Sequence, residues 1–238
     1  MTIEYVIFDW AGTITPWHTV DLPGIWQDTA AALDGVGSGA ERDVGARLLR
    51  AERELMTRCR ETQCSARLDD VFRLAGVEAQ PRALAAYRRS WEAHTVADPR
   101  TLKLLAGLRE RGMGLGVLSN TLWPAHWHDE IFERDRVLSY IDAAVYSSEV
   151  PWTKPHPAIF AAAMSALGAS SAAACAFVGD RAFEDVYGAQ QAGMRTILLP
   201  HSSIPDDELG AYAAVPDAVI GTLQDVVTVV DGWNGVGG

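Results

Sequence analysis

Apolar residues along the chain gather into short runs that each end on a polar or small residue: Ile3–Asp9, Gly114–Asn120, Asp142–Ser148, Ala174–Asp180 and Met194–Pro200. Runs of this length, apolar at successive positions, fit parallel strands buried on both faces. Between the later runs, Pro99–Gly112, Pro155–Gly168 and Ala182–Gly193 space their apolar residues as helices do. Each closes on glycine, which readily takes the left-handed conformation that ends a helix. Strand and helix therefore alternate, which predicts the α/β class with a doubly wound parallel sheet.

The stretch Leu22–His94 breaks that rhythm. It holds no comparable strand run and reads as amphipathic helices around Ile25–Leu33, Ala46–Met56, Leu68–Leu74 and Leu84–Trp91. The expected organisation is an α/β core from residues 1–16 and 97–238, with a helical domain of residues 17–96 inserted through two linkers. The Gly-rich tail, Gly232–Gly238, is expected to fray.

Composition narrows the functions on offer. The formal charge of −11 disfavours nucleic acid as a partner, because the Lys and Arg residues are scattered and form no basic block. No apolar run approaches the roughly 18 residues of a membrane span, and no leader pattern precedes Ile3, so the cytoplasm is the expected compartment. Cys59, Cys64 and Cys175 show neither a C-x-x-C pair nor zinc-ligand spacing and read as inert thiols. Nothing in the pattern sets an oligomeric state.

Ligands of an open parallel sheet bind outside the carboxyl ends of its strands, which directs attention to Asp9, Ser119, Asn120 and Asp180. Any one of them alone could be a turn residue or a helix N-cap. In I-F-D-W-A-G-T, Ile7–Thr13, a carboxylate leaves a buried strand into a Gly-containing turn whose N–H groups can face an anion. Such a carboxylate can attack phosphorus. F-V-G-D-R-A-F-E-D, Phe177–Asp185, adds Asp180 and Asp185, hard oxygen donors of the kind Mg²⁺ takes. Between them stand L-S-N-T at Leu118–Thr121 and T-K-P-H-P at Thr153–Pro157, which offer a hydroxyl and an ammonium to phosphoryl oxygens.

These four segments, in this order, resemble the four motifs of the haloacid dehalogenase superfamily, and the helical insert falls where that superfamily carries its first type of cap. The resemblance implies that Asp9 is the nucleophile and a metal ligand and that the Ala11 carbonyl joins it on Mg²⁺. By the same likeness Ser119 and Lys154 hold the transferring group, and Asp180 and Asp185 complete the metal site. Thr13, Asn120 and His18 are the candidate substrate contacts.

One position departs from the pattern. Phosphatases of the superfamily resemble D-x-D-G-T, with a second Asp as general acid and base, whereas this chain has Ala11. D-W-A-G-T is similar to phosphonoacetaldehyde hydrolase, whose cap lysine forms a Schiff base with the substrate. The only lysines here are Lys103 and Lys154, both outside the insert, so that reaction is rejected. The expectation is a Mg²⁺-dependent phosphatase of a small phosphorylated metabolite, working through an aspartyl phosphate. The alternatives are a catalytically weakened member that binds a phosphorylated ligand, or a hydrolase like the 2-haloacid dehalogenases. His18, at the entrance to the insert, is a candidate for the missing acid. Trp10, Trp17, Trp26 and Trp91 suit either an apolar substrate cavity or a packed core. The segment holding Trp123, His126, Trp127 and His128 reads as a packed amphipathic turn.

Overall fold

The computed structural model describes residues 2–37, 39–201 and 214–235. Six parallel strands form one sheet: β1 (Tyr5–Phe8), β2 (Gly114–Ser119), β3 (Ala143–Tyr146), β4 (Cys175–Gly179), β5 (Arg195–Leu198) and β6 (Ala218–Val219). Their order is β3-β2-β1-β4-β5-β6, so the chain winds outward in both directions from β1. All five predicted runs are strands. The edge strand β6 escapes the pattern because two residues carry no periodicity.

Side chains alternate between the two faces of the sheet. Val6, Phe8, Val117 and Val178 join one apolar cluster, while Ile7, Leu118 and Phe177 join a second. Helices α5 (Thr101–Glu110) and α9 (Asp225–Trp233) contribute to the first, and α7 (Pro157–Leu167) and α8 (Gly188–Gln191) to the second. Both faces are thus covered, which is why the strands read as unbroken apolar runs. Helix α6 (Ala125–Arg134) follows β2 and is a full helix where only a turn was expected. Gly232 lies inside α9, so that part of the tail is helical, and residues 236–238 lie outside the described residues. No helix among the described residues is long and apolar enough to cross a membrane.

The insert between β1 and α5 is helical as predicted: α1 (Leu22–Ala31), α2 (Glu41–Thr62), α3 (Leu68–Leu74) and α4 (Pro81–Trp91). Asp21 caps α1 by accepting a hydrogen bond from the Gly24 N–H at 3.1 Å, and Pro81 opens α4 where its missing N–H costs nothing. Val44, Leu48, Ala51, Leu55 and Cys59 form the buried stripe of α2, each burial contributing roughly 1–3 kcal/mol. The helix runs past the expected Met56 to Thr62, because Cys59 continues the stripe through a polar stretch, and it ends at left-handed Gln63 (φ 56°). The two connections run together, the Asp98 N–H donating to the Ile14 carbonyl at 2.9 Å. Tyr87, Trp123 and Trp127 belong to the same apolar cluster, so the insert helices and the sheet share a core.

Candidate active site

The parallel register brings the strand ends into line. Phe8 of β1 stands beside Val117 of β2 and Val178 of β4, so Asp9, Ser119 and Asp180 emerge together at the carboxyl edge. The Asp9 N–H donates to the Val178 carbonyl at 2.8 Å and extends the ladder by one residue. The chain then turns sharply, with the Thr15 N–H donating to the Trp10 carbonyl at 2.9 Å and the Gly12 N–H to the Thr15 carbonyl at 2.7 Å. Gly12 has φ +91°, and a Cβ there would collide with the Asp180 carboxylate. A second close approach explains Gly179, where a Cβ would run into Asp185.

Lys154 is the pivot of the site. Its Nζ donates to Asp9 Oδ1 at 2.7 Å and to Asp185 Oδ1 at 2.6 Å, and all three side chains are buried. Asn120 fixes the lysine from behind: its Nδ2 donates to the Lys154 carbonyl at 3.0 Å and its Oδ1 accepts from the Lys154 N–H at 2.8 Å. Its carboxamide therefore holds the backbone of Lys154 at the cavity wall. Asp185 Oδ2 accepts from the Asp180 and Arg181 N–H groups at 3.1 and 2.9 Å, which anchors it at the start of a π-helical segment, Ala182–Tyr187. That wider turn replaces the first part of the predicted helix, and such turns recur at functional sites.

Burial raises the Asp9 carboxyl from 3.8 to about 6, opposed by the Lys154 charge and assisted by that of Asp185. Burial also acts to lower the Lys154 amine, but two facing carboxylates outweigh it and hold its pKa above the ordinary value. Asp180 is pushed well above the usual carboxylate range, by burial first and then by the Asp9 and Asp185 charges. Neither Asp180 oxygen accepts a hydrogen bond among the described residues, and its nearest cation is Arg181 Nε at 3.5 Å. One oxygen from each of Asp9, Asp180 and Asp185 lies within 4.8 Å of the others. Three buried carboxylates offering hard oxygens, one of them without a donor, suit a small divalent cation.

These groups open into a cavity of about 460 Å³, which Ala11, Ser119, Thr153 and Glu184 also line. Trp17, Met56 and Arg60 reach it from the insert and its linker. Of the four tryptophans considered from the sequence, only Trp17 lines it; Trp10, Trp26 and Trp91 pack among aromatic rings. Thr13 is buried and His18 is exposed edge-on to His94, and neither belongs to the lining. His128 is fully buried and stacked on Tyr146 at 4.2 Å, with its pKa pushed down by burial to about 3, so it is a neutral packing residue. The lining residues that sequence reasoning missed include Met56 and Arg60, one helical turn apart on α2. The pattern ended this helix at Met56, so neither its continuation to Arg60 nor the face it turns to the strand ends was visible.

A doubly wound parallel sheet with a carboxylate after its central strand, paired to a buried lysine and flanked by two more acids after the neighbouring strand, defines an α/β protein with an acidic site at the carboxyl edge of its sheet. Residues 3–193 match the haloacid dehalogenase-like hydrolases, and the chain belongs to that family. It is 31% identical over 166 residues to a glyceraldehyde 3-phosphate phosphatase of Methanopyrus kandleri, covering 68% of this chain and 70% of that protein. It is 27% identical over 203 residues to a phosphonoacetaldehyde hydrolase of Bordetella pertussis, covering 83% of this chain and 72% of that protein. Among solved structures, a haloacid dehalogenase phosphatase from Thermococcus onnurineus superposes with a TM-score of 0.66 at 24% identity, over 97% of this chain and 99% of that one. An L-2-haloacid dehalogenase from Xanthobacter autotrophicus gives 0.64 at 19% identity over the same shares, and both superpositions bear on the fold alone.

Proposed function

We propose that the protein is a Mg²⁺-dependent phosphatase of a small phosphorylated metabolite, with Asp9 as nucleophile and residues 17–96 as a cap over the site, working in the cytoplasm. The observation that carries this is the Asp9–Lys154–Asp185 ion triad beside the donorless Asp180 carboxylate at one cavity. Asp9, Asp180 and Asp185, with the Ala11 carbonyl by family likeness, would hold Mg²⁺, which supplies charge neutralisation for a dianionic phosphoryl group. Asp9 attacks phosphorus as the P–O bond to the leaving group breaks, giving an aspartyl phosphate and an alkoxide or phenoxide. Lys154 balances charge at the nucleophile, and Ser119 and Lys154 contact the phosphoryl oxygens. Water then attacks phosphorus, releases inorganic phosphate and returns the Asp9 carboxylate.

The relatives named for glyceraldehyde 3-phosphate and for phosphonoacetaldehyde support a small phosphorus-bearing substrate. The Schiff-base route to C–P cleavage has no amine from the insert here, since the cation that the insert presents to the cavity is Arg60 and the one amine at the site, Lys154, is held by Asp9 and Asp185. The test is phosphate release from 4-nitrophenyl phosphate with Mg²⁺, with chelator, and with Asp9→Asn. Release with Mg²⁺ alone, lost in the other two, is expected. Binding of phosphate analogues without release would replace the enzyme by a ligand-binding member weakened at Ala11, and metal-independent halide release from a 2-haloacid would favour dehalogenation.

A further inference from the structure

The cavity walls are unevenly charged. Asp9, Asp180, Glu184 and Asp185 lie at or near the β1 and β4 ends with Lys154 and Arg181, whereas the α2 side offers Met56 and Cys59 and one cation, Arg60. Lys154 is held by Asp9 and Asp185, and Arg181 lies 3.5 Å from Asp180 with its guanidinium 4.7 Å over the Trp17 ring. Arg60 is exposed and has no ion-pair or hydrogen-bond partner among the described residues.

Its placement is nevertheless fixed. Three residues on, Gln63 accepts a hydrogen bond from the Thr153 N–H at 2.9 Å, and Ser65 donates to the Pro151 carbonyl at 3.0 Å. Cys64 and Trp152 form an antiparallel bridge between these two contacts. The end of α2 is thereby registered, backbone to backbone, against the segment that carries Lys154.

Resting on the phosphatase reading above, we infer that Arg60 recognises a carboxylate at the far end of the substrate, so that the substrate class is a small phosphorylated carboxylic acid. A guanidinium matches a planar carboxylate through two parallel N–H donors. A single free cation balances a single negative charge, which fits a carboxylate better than a second phosphate dianion. Met56 and Cys59 leave room for a short apolar body between the two anionic ends. The competing role of Arg60 is to offset the negative end of the α2 dipole as a solvated side chain.

Two aryl phosphates with phenols of similar basicity separate these roles: 4-(carboxymethyl)phenyl phosphate and 4-ethylphenyl phosphate, compared by kcat/KM with Mg²⁺. The wild type is expected to prefer the carboxylate about tenfold or more, mainly through KM. Arg60→Gln is expected to erase the preference, and Arg60→Lys to restore part of it. A wild type without preference, or an Arg60→Gln protein that loses both substrates equally, overturns the inference and leaves the phosphatase reading standing. Phosphate release from neither substrate overturns that reading and this inference with it.

Discussion

Replacing Lys154 by Met leaves two buried carboxylates, Asp9 and Asp185, without the ammonium that now contacts both. At an effective dielectric of about 20, contacts of 2.7 and 2.6 Å are each worth about 6 kcal/mol of attraction. The desolvation of the amine, which Met does not suffer, and protonation of the carboxylates left behind together offset most of this attraction, leaving a net loss of about 3–5 kcal/mol. The loss depends on pH, and its sign follows from Asp9. In the folded protein that carboxyl sits at about 6 against its ordinary 3.8, so the stability linked to its protonation is present below 3.8 and lost as pH rises through about 6. Without the ammonium the folded value climbs further, and the deficit extends to higher pH. Urea unfolding of both proteins in chelator at pH 5 and pH 8 is the assay, and the deficit should be greatest at pH 8 and clearly smaller at pH 5. A deficit under about 1 kcal/mol at pH 8, the size of a surface ion pair, or one equal at both pH values, would show that the triad does not carry the charge balance described.

Ala11→Asp should speed alkyl-phosphate hydrolysis by about 10²–10⁴-fold while changing aryl-phosphate hydrolysis little, because only the alkoxide needs a positioned acid; equal effects in steady-state rates on the two substrates would count against a missing proton donor. Gly12→Ala places a methyl group at φ +91° against Asp180, so the melting temperature should fall and the upward shift on adding Mg²⁺ should vanish in thermal-denaturation titrations. A normal Mg²⁺ shift in that variant would separate Asp180 from the metal site.

The α/β class, the five long strands and the helical nature of the insert followed from the sequence alone, because a strand covered on both faces must be apolar throughout and a helix covered on one side must repeat every three to four residues. Asp9, Ser119, Asn120 and Asp180 were legible for a related reason: a polar residue that closes a buried strand sits where a parallel sheet exposes its ligands. Contacts between distant segments were not legible. That Asn120 clamps the Lys154 backbone, that the lysine bridges Asp9 to Asp185, and that Asp180 is left without a donor are consequences of strand register and burial. Likewise His18 carried the right chemistry at a suggestive position, yet the structure turns it towards His94, outside the cavity lining. Arg60 lies beyond Met56, where the sequence pattern ends this helix, and only the pairing of residues 63–65 with 151–153 brings the end of α2 to the segment that carries Lys154. Local periodicity determines which elements form and which residues end them; the direction a side chain faces across the cavity depends on packing between elements far apart in the chain, and no local pattern encodes it.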